Sequence, residues 1–476
     1  MTDDIRIKTP PQRPAAVMLH RFAREEDGLV TVFAVFMILI MVFLGGMGVD
    51  LMRHERERSK VQAVADRAVL AAADLDQTLD PEAVARDYFN KAGMAEYVST
   101  VNVEEGLNYR RVTVDASRRL PTLFMDSLGQ DSLYVPAKST AEEKVNKVEI
   151  SMVLDISGSM RENSKMDNLH DAGAIFVDTV LKPENADLIS ISVVPYTAQV
   201  NVGADIFDEL NITELHNFSY CVDFEDSDFD DVAISQVEQY EHMQHFEAGY
   251  YWNGRHRKNT GRYNNIDNPG CPKQEYEEVK AFSQNATELK NQISSFSPRA
   301  NTAIHLGMKW GVALLDPAFR PINQAIGGDA AFQSRPAAYS DIDTLKTVIL
   351  MTDGVNVTTR RINRQVYANL DHYRHWSDYP FYWWLNQNVR SSEQWRWYWT
   401  KYTPSQADNL LSNICDAAKE KGIVIWSIGF EVEEHGASVM KDCASSDSHF
   451  FRVEGVEIVD AFEAIARQIN QLRLTQ

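Results

Sequence analysis

The residues best placed to do chemistry lie in Lys147-Val-Glu-Ile-Ser-Met-Val-Leu-Asp155-Ile-Ser157-Gly-Ser159-Met160. Asp155, Ser157 and Ser159 alternate around one glycine, at the point where an apolar, β-branched run must end. A carboxylate and two hydroxyls on short side chains are hard oxygen donors, suited to Mg²⁺ or Mn²⁺ more than to metals that prefer nitrogen or sulfur. Two distant stretches have the same character. Ser297-Pro-Arg-Ala-Asn-Thr302 ends in a hydroxyl just before a helical run, and Thr347-Val-Ile-Leu-Met-Thr-Asp353-Gly ends an apolar run in a second carboxylate. Taken alone, the first stretch reads equally as a Gly/Ser turn closing a strand; the three together favour a metal site. No Gly-x-x-x-x-Gly-Lys-[Ser/Thr] loop is present to hold phosphate. No Gly-x-Ser-x-Gly elbow makes a serine a nucleophile, and no nucleophile–base pair stands out, which points away from an enzyme.

The elements that must position these residues alternate. Strands are expected over 147–154, 188–196, 347–352 and 423–430, with helices over 166–181, 303–315, 405–421 and 458–472. Such alternation implies an α/β fold, a doubly wound, mainly parallel sheet with helices on both faces. Ligands of such sheets bind beyond the carboxyl ends of strands, where Asp155 and Asp353 fall.

Asp-x-Ser-x-Ser, a distant Thr and a strand-ending Asp-Gly resemble the von Willebrand factor A (vWA) domain and its metal-ion-dependent adhesion site. The resemblance implies that Ser157, Ser159 and Thr302 coordinate Mg²⁺ (or Mn²⁺) directly or through water. Asp155 and Asp353 would act mainly through bound waters, leaving one position for an acidic group on a protein partner.

Ahead of this domain, Leu29–Val49 is an uninterrupted apolar run of 21 residues, enough to cross a hydrocarbon core of roughly 30 Å. It is longer than a signal-peptide core. Residues 1–27 read as a cytoplasmic tail and 28–50 as the anchor. Arg13, Arg21 and Arg24 precede the run, while Arg53, Arg56, Arg58 and Lys60 follow it, so the positive-inside rule leaves orientation open. Residues 51–95 read as juxtamembrane helices, 96–146 as a small β-rich module and 147–474 as the A domain. The pattern Gln62, Ala65, Asp66, Ala68, Leu70, Ala71, Ala72, Ala73 after an apolar anchor resembles TadG-like proteins of Tad/Flp pilus assembly, which join such a segment to an A domain. That resemblance implies a single-pass protein of the bacterial inner membrane, with its body in the periplasm or envelope. It implies pilus assembly or adhesion, with a pilus-assembly or surface component as partner. The alternative is a periplasmic brace whose metal site only stabilises. Processed pilin-like relatives carry Glu five residues after the cleavage Gly; counting from Gly28, Phe33 stands there, so an unprocessed accessory component is expected.

Two insertions, about 201–282 and 356–403, interrupt the A domain. The first carries the acidic run Asp223-Phe-Glu-Asp-Ser-Asp-Phe-Asp-Asp231. A calcium loop starting at Asp226 would place Asp231 where Gly is needed and Val237 where Glu is needed, so a solvated acidic face is expected. His242, His245, His256 and Tyr250-Tyr-Trp252 read as a polar, aromatic surface without ligand spacing. The second insertion holds six of the nine tryptophans: Trp376, Trp383, Trp384, Trp395, Trp397 and Trp399. It reads equally as a protein interface or as a satellite core under a long loop. Cys221, Cys271, Cys415 and Cys443 allow three pairings; chain order favours Cys221–Cys271 and Cys415–Cys443. A net charge of −21 argues against nucleic acid as a partner.

Overall fold

A computed structural model describes residues 27–74, 79–105, 109–144, 147–251 and 264–475. It has two compact units, residues 1–144 and 145–476. The expected tail, apart from Asp27, and His256 and Trp252 lie outside the described residues.

In the first unit a single helix, α1 (Asp27–Ala73), starts just ahead of the apolar run and continues through and beyond it without a break. It is the one helix among the described residues long and apolar enough to cross a membrane. Its second half buries Val61, Ala65, Ala68, Val69, Ala72 and Ala73, a stripe at helical spacing. Helix α2 (Pro81–Lys91) starts where Asp80 accepts the Ala83 N–H at 2.8 Å and Pro81 needs no partner. An antiparallel meander, β1 (Val98–Glu105), β2 (Tyr109–Pro121) and β3 (Ser132–Lys144), lies against the helices. Val112, Val114 and Ala116 alternate inward from β2 and join α1 and α2 in one core. The division expected near residue 95 thus falls inside a shared core. Gln62 and Asp66, one helical turn apart, tie α1 to β3. Gln62 donates to Asp66 (2.8 Å) and to the Lys138 carbonyl (3.0 Å), and Ser139 donates to Asp66 (2.7 Å).

The second unit is built on a six-stranded mixed sheet, in spatial order β11-β10-β7-β4-β5-β6. The strands are β4 (Lys147–Asp155), β5 (Ile189–Tyr196), β6 (Lys280–Ser283), β7 (Thr344–Thr352), β10 (Val424–Phe430) and β11 (Phe450–Val453). All pairings are parallel except β5 with β6, which is antiparallel at the sheet edge. Strands β4 and β5 are buried almost throughout, as parallel strands covered on both faces must be. Helices α3 (Lys165–Val180), α4 (Ala286–Ser294) and α8 (Glu457–Thr475) form one packed group, with Phe176 edge-on to Phe462 at 5.9 Å. Helix α5 (Ile304–Ala313) packs on β4 and β5, and on α6 (Pro404–Glu420), which meets α7 (Glu434–Cys443). Two glycines let α5 approach so closely. A Cβ on Gly307 would lie 2.7 Å from the Tyr196 ring, and one on Gly311 only 2.3 Å from Val153.

The long connections between β5 and β6 and between β7 and α6 pack on each other. The first holds short strands at Asn211–Ile212, Val222–Asp223 and Gln239–His242. The second holds the hairpin β8 (Thr359–Ile362) with β9 (Tyr398–Tyr402), and helices at Leu370–Trp376 and Phe381–Asn388. Met243, Phe246 and the Cys221–Cys271 disulfide from the first share a core with Ile362, Tyr367, Trp376, Phe381 and Leu385 from the second. The other disulfide, Cys415–Cys443, joins α6 to α7.

Two expectations are corrected here. His242 and His245 are buried, not part of a surface. With His216 they form a ring cluster, centroids 4.1 and 5.6 Å from His216, in which backbone and side-chain partners fix each neutral tautomer. Backbone N–H groups of Phe218 and Leu215 donate to Nδ1 of His216 and His242, so their Nε2 atoms must donate to the Met243 and Ser219 carbonyls. The acidic run divides: Glu225, Asp226, Asp230 and Asp231 are exposed as expected, but its first member and its aromatics are not. Asp223 is buried against Arg361, and Phe224 and Phe229 enter the main core. The tryptophans divide: Trp376 is buried, while Trp395 and Trp399 are exposed.

Candidate metal centre

The sheet register brings the three sequence stretches together. β4 and β7 are neighbours, with Leu154 opposite Met351, so Asp155 ends one strand and Asp353 follows the end of the next. Thr302 lies in the loop that enters α5, and that loop crosses directly over Gly158. The Gly158 N–H donates to the Ala300 carbonyl at 3.2 Å, and a Cβ on Gly158 would fall 2.9 Å from the same oxygen. Only glycine permits this crossing without a shift.

The hydroxyls form a directed chain. Thr302 donates to Ser157 (2.8 Å), Ser157 lies 3.1 Å from Ser159, and Ser159 donates to Asp353 Oδ1 (2.6 Å). Each hydroxyl has one proton to donate, and Ser159 directs its own at Asp353, so Ser157 donates to Ser159. Asp155 sits beneath, accepting the Ser157 N–H (2.7 Å) and the Thr352 hydroxyl (2.7 Å). Asp155, Ser157, Thr302 and Asp353 are buried, while Ser159 is exposed and marks the open side. Burial and then the Asp353 charge push Asp155 up to about 7, against the pull of its bonds from Thr352 and Ser157.

This donor set fits a small divalent cation. Adjacent oxygens of an octahedron with bonds of about 2.1 Å are roughly 3.0 Å apart, close to the 2.6–3.1 Å spacings along this chain. A Cβ on Gly354 would sit 3.9 Å from both Ser159 Oγ and Thr302 Oγ1, so the missing side chain leaves room beside the hydroxyls. Among the described residues no group of three or more His, Cys or carboxylate side chains gathers as a metal cluster.

Three residues that sequence reasoning missed complete the centre. Thr352 orients Asp155, as above. Asn356 accepts the Ile304 N–H at 2.8 Å and donates to Asp408 at 2.9 Å, bracing the start of α5 behind Thr302. Lys165, the first residue of α3, places its ammonium 3.0 Å from Asp353 Oδ2. Thr352 and Asn356 flank Asp353 closely enough in sequence to have been considered; Lys165 had no such signal. Beside Thr302, a cleft of about 370 Å³ opens between the two long connections, lined among others by Tyr250, Arg360 and Tyr382.

Comparison with known proteins places the anchor region. Residues 28–75 match the Tad family model, described as Flp pilus-assembly TadE/G-like. This segment is TadE/G-like. The Gln62 and Asp66 clamp and the buried alanine stripe of α1 fall within it. No curated protein matches the chain. Among solved structures, the vWF domain of a type V pili tip protein from Porphyromonas gingivalis aligns at 14% identity and a TM-score of 0.35, over 70% of this chain and 97% of that one. The pilus adhesin RrgA from Streptococcus pneumoniae aligns at 11% identity and 0.35, over 78% and 48%. The pilus adhesin SpaC from Lactobacillus rhamnosus GG aligns at 12% and 0.32, over 79% and 34%. The chain thus spans less than half the length of these two adhesins.

Proposed function

We propose that this protein is a membrane-anchored component of Tad-type pilus assembly or adhesion, whose extracytoplasmic A-type unit captures a partner's carboxylate through a divalent cation. One observation carries the binding half of the reading. Four oxygen-bearing side chains from three distant stretches meet in one connected row beyond the ends of neighbouring parallel strands, with the Asp155 carboxylate beneath them on the Ser157 N–H. The TadE/G-like segment carries the pilus half. Ser157, Ser159 and Thr302 would hold Mg²⁺ or Mn²⁺ with Asp353, and Asp155 would anchor the loop from below. The bound ion supplies a Lewis-acidic position for an incoming carboxylate. The chain's own part is to hold three hydroxyls at fixed spacing and to leave the Ser159 side open. The cleft lined by Arg360 and Tyr382 reaches Thr302 and would offer aromatic and cationic contacts to the rest of a partner. The long connections are read as insertions into a doubly wound sheet.

The test is calorimetric titration of the detergent-solubilised full chain with MgCl₂ and MnCl₂, against the Ser157→Ala/Asp353→Ala double variant. Binding in the micromolar-to-millimolar range, lost in the variant, is expected, together with Mg²⁺-dependent, EDTA-reversible retention of pilus components. A folded wild-type protein that binds neither ion would leave the brace reading in its place. A periplasm-active reporter fused after Gln476 should be active; an inactive fusion would overturn the topology.

A further inference from the structure

Lys165 is the charged group at the centre that the metal reading does not use. Asn163 and Ser164, both left-handed (φ 53° and 56°), turn the chain back so that α3 begins with Lys165 facing the Asp353 loop. The side chain is buried. Its ammonium touches two carboxylates: Asp353 Oδ2 at 3.0 Å and Glu431 Oε2 at 3.7 Å. Glu431 is held in place by Asn163, which donates to Oε2 at 3.0 Å, and by the Gly455 N–H, which donates to Oε1 at 3.3 Å. Glu431 also has a left-handed backbone (φ 53°), so both ends of this second contact are set by unusual local geometry.

A buried ammonium needs a carboxylate, and a lysine stem lets it exchange one for another a short distance away. A divalent ion bonded to Asp353 would repel an ammonium on the same carboxylate. We propose that Lys165 is a tethered counter-ion of the metal centre, neutralising Asp353 in the metal-free protein and passing to Glu431 when a divalent ion enters. The proposal rests on the metal reading above. It makes metal affinity a property of the Lys165–Glu431 pair as well as of the oxygen donors.

The test uses the detergent-solubilised full chain and the ions themselves, MgCl₂ and MnCl₂, read by calorimetry and by melting temperature with and without EDTA. Lys165→Met should bind metal roughly tenfold more tightly, because a unit charge within about 5 Å of a divalent ion is removed. In EDTA it should melt below wild type, and Mg²⁺ should raise its melting temperature by more than it raises that of wild type. Glu431→Gln should weaken binding several-fold, and that loss should shrink when Lys165→Met is also present, because Glu431 acts through the lysine. Wild-type binding with Lys165→Met no tighter overturns the proposal and leaves the metal reading intact. An equal Glu431→Gln loss in both backgrounds overturns it too. Should Lys165→Met not fold, unchanged affinity in Glu431→Gln, at a partly exposed position, decides against it. No binding by any folded version removes the metal reading and this proposal together.

Discussion

Arg361→Met should detach the two long connections from each other. Arg361 comes from β8 of the second connection and Asp223 from the first, and both side chains are buried, 4% and 7% exposed. The guanidinium binds Asp223 through Nε at 2.7 Å and through a second, shorter contact from Nη2. Burial raises the Asp223 pKa, but the Arg361 charge and hydrogen bonds outweigh it and hold the carboxyl below its usual range. Removing Arg361 therefore strands a buried carboxylate, which typically costs about 3–5 kcal/mol. Gln199 still donates to Asp223 at 3.0 Å and Lys401 lies 4.0 Å away, so the expected loss is about 3 kcal/mol, the low end of that range. Adding Asp223→Asn should restore part of it, with a coupling on the order of 1–2 kcal/mol between the two sites. Urea unfolding followed by tryptophan fluorescence gives the stabilities. Hydrogen exchange should show added opening in both connections and little in β4, β5 and β7. A loss below about 1 kcal/mol, or strict additivity in the double variant, would show that the pair does not join the connections.

Gly158→Ala should weaken Mg²⁺ binding and cost roughly 1–3 kcal/mol of stability, because the new Cβ meets the Ala300 carbonyl and drives the Thr302 loop away; normal binding in calorimetry would refute the crossing argument. Acid should destabilise the large unit. Burial pushes His216 down to about 2, His245 to about 3 and His242 to about 4, so below about pH 6.5 the unfolded chain takes up protons that the folded one refuses. Each depressed pKa thus contributes stability that is present above the unfolded value and lost as pH falls towards the folded one. At pH 5 the loss is on the order of 2 kcal/mol per histidine, measurable as a falling urea midpoint. A midpoint flat from pH 7 to 5 would contradict it.

That Asp155, Ser157, Ser159, Thr302 and Asp353 would come together was legible because each lies at or just past the end of a strand or just ahead of a helix, and strand ends announce themselves in apolar runs. The parallel strands were legible for the same reason. Lys165 was not, since a lysine at a helix start has an ordinary place in solvent, and only the left-handed pair before it turns the side chain inward. The shared core of the connections was hidden because neither has enough periodicity to show which face is buried. It took Arg361 with Asp223, and Trp376 with Phe246, to reveal that each connection supplies what the other lacks. The histidines misled for a related reason. Their partners are mostly backbone atoms, and backbone partners leave no spacing signature.

Helix α1, 47 residues without a break, would be about 70 Å long at 1.5 Å per residue. The meander is fastened along it at several heights: His54 to the Tyr134 carbonyl, Glu57 to Arg118, Gln62 to the Lys138 carbonyl and Asp66 to Ser139. The three that reach β3, at Tyr134, Lys138 and Ser139, climb in the same direction as on the helix. A pull along the helix axis would therefore strain the fastenings side by side, in shear, and would not peel them off in turn. Bonds strained together share a force that would defeat any one of them. The small unit is in mechanical terms a lap joint, built to resist a load applied along its long helix.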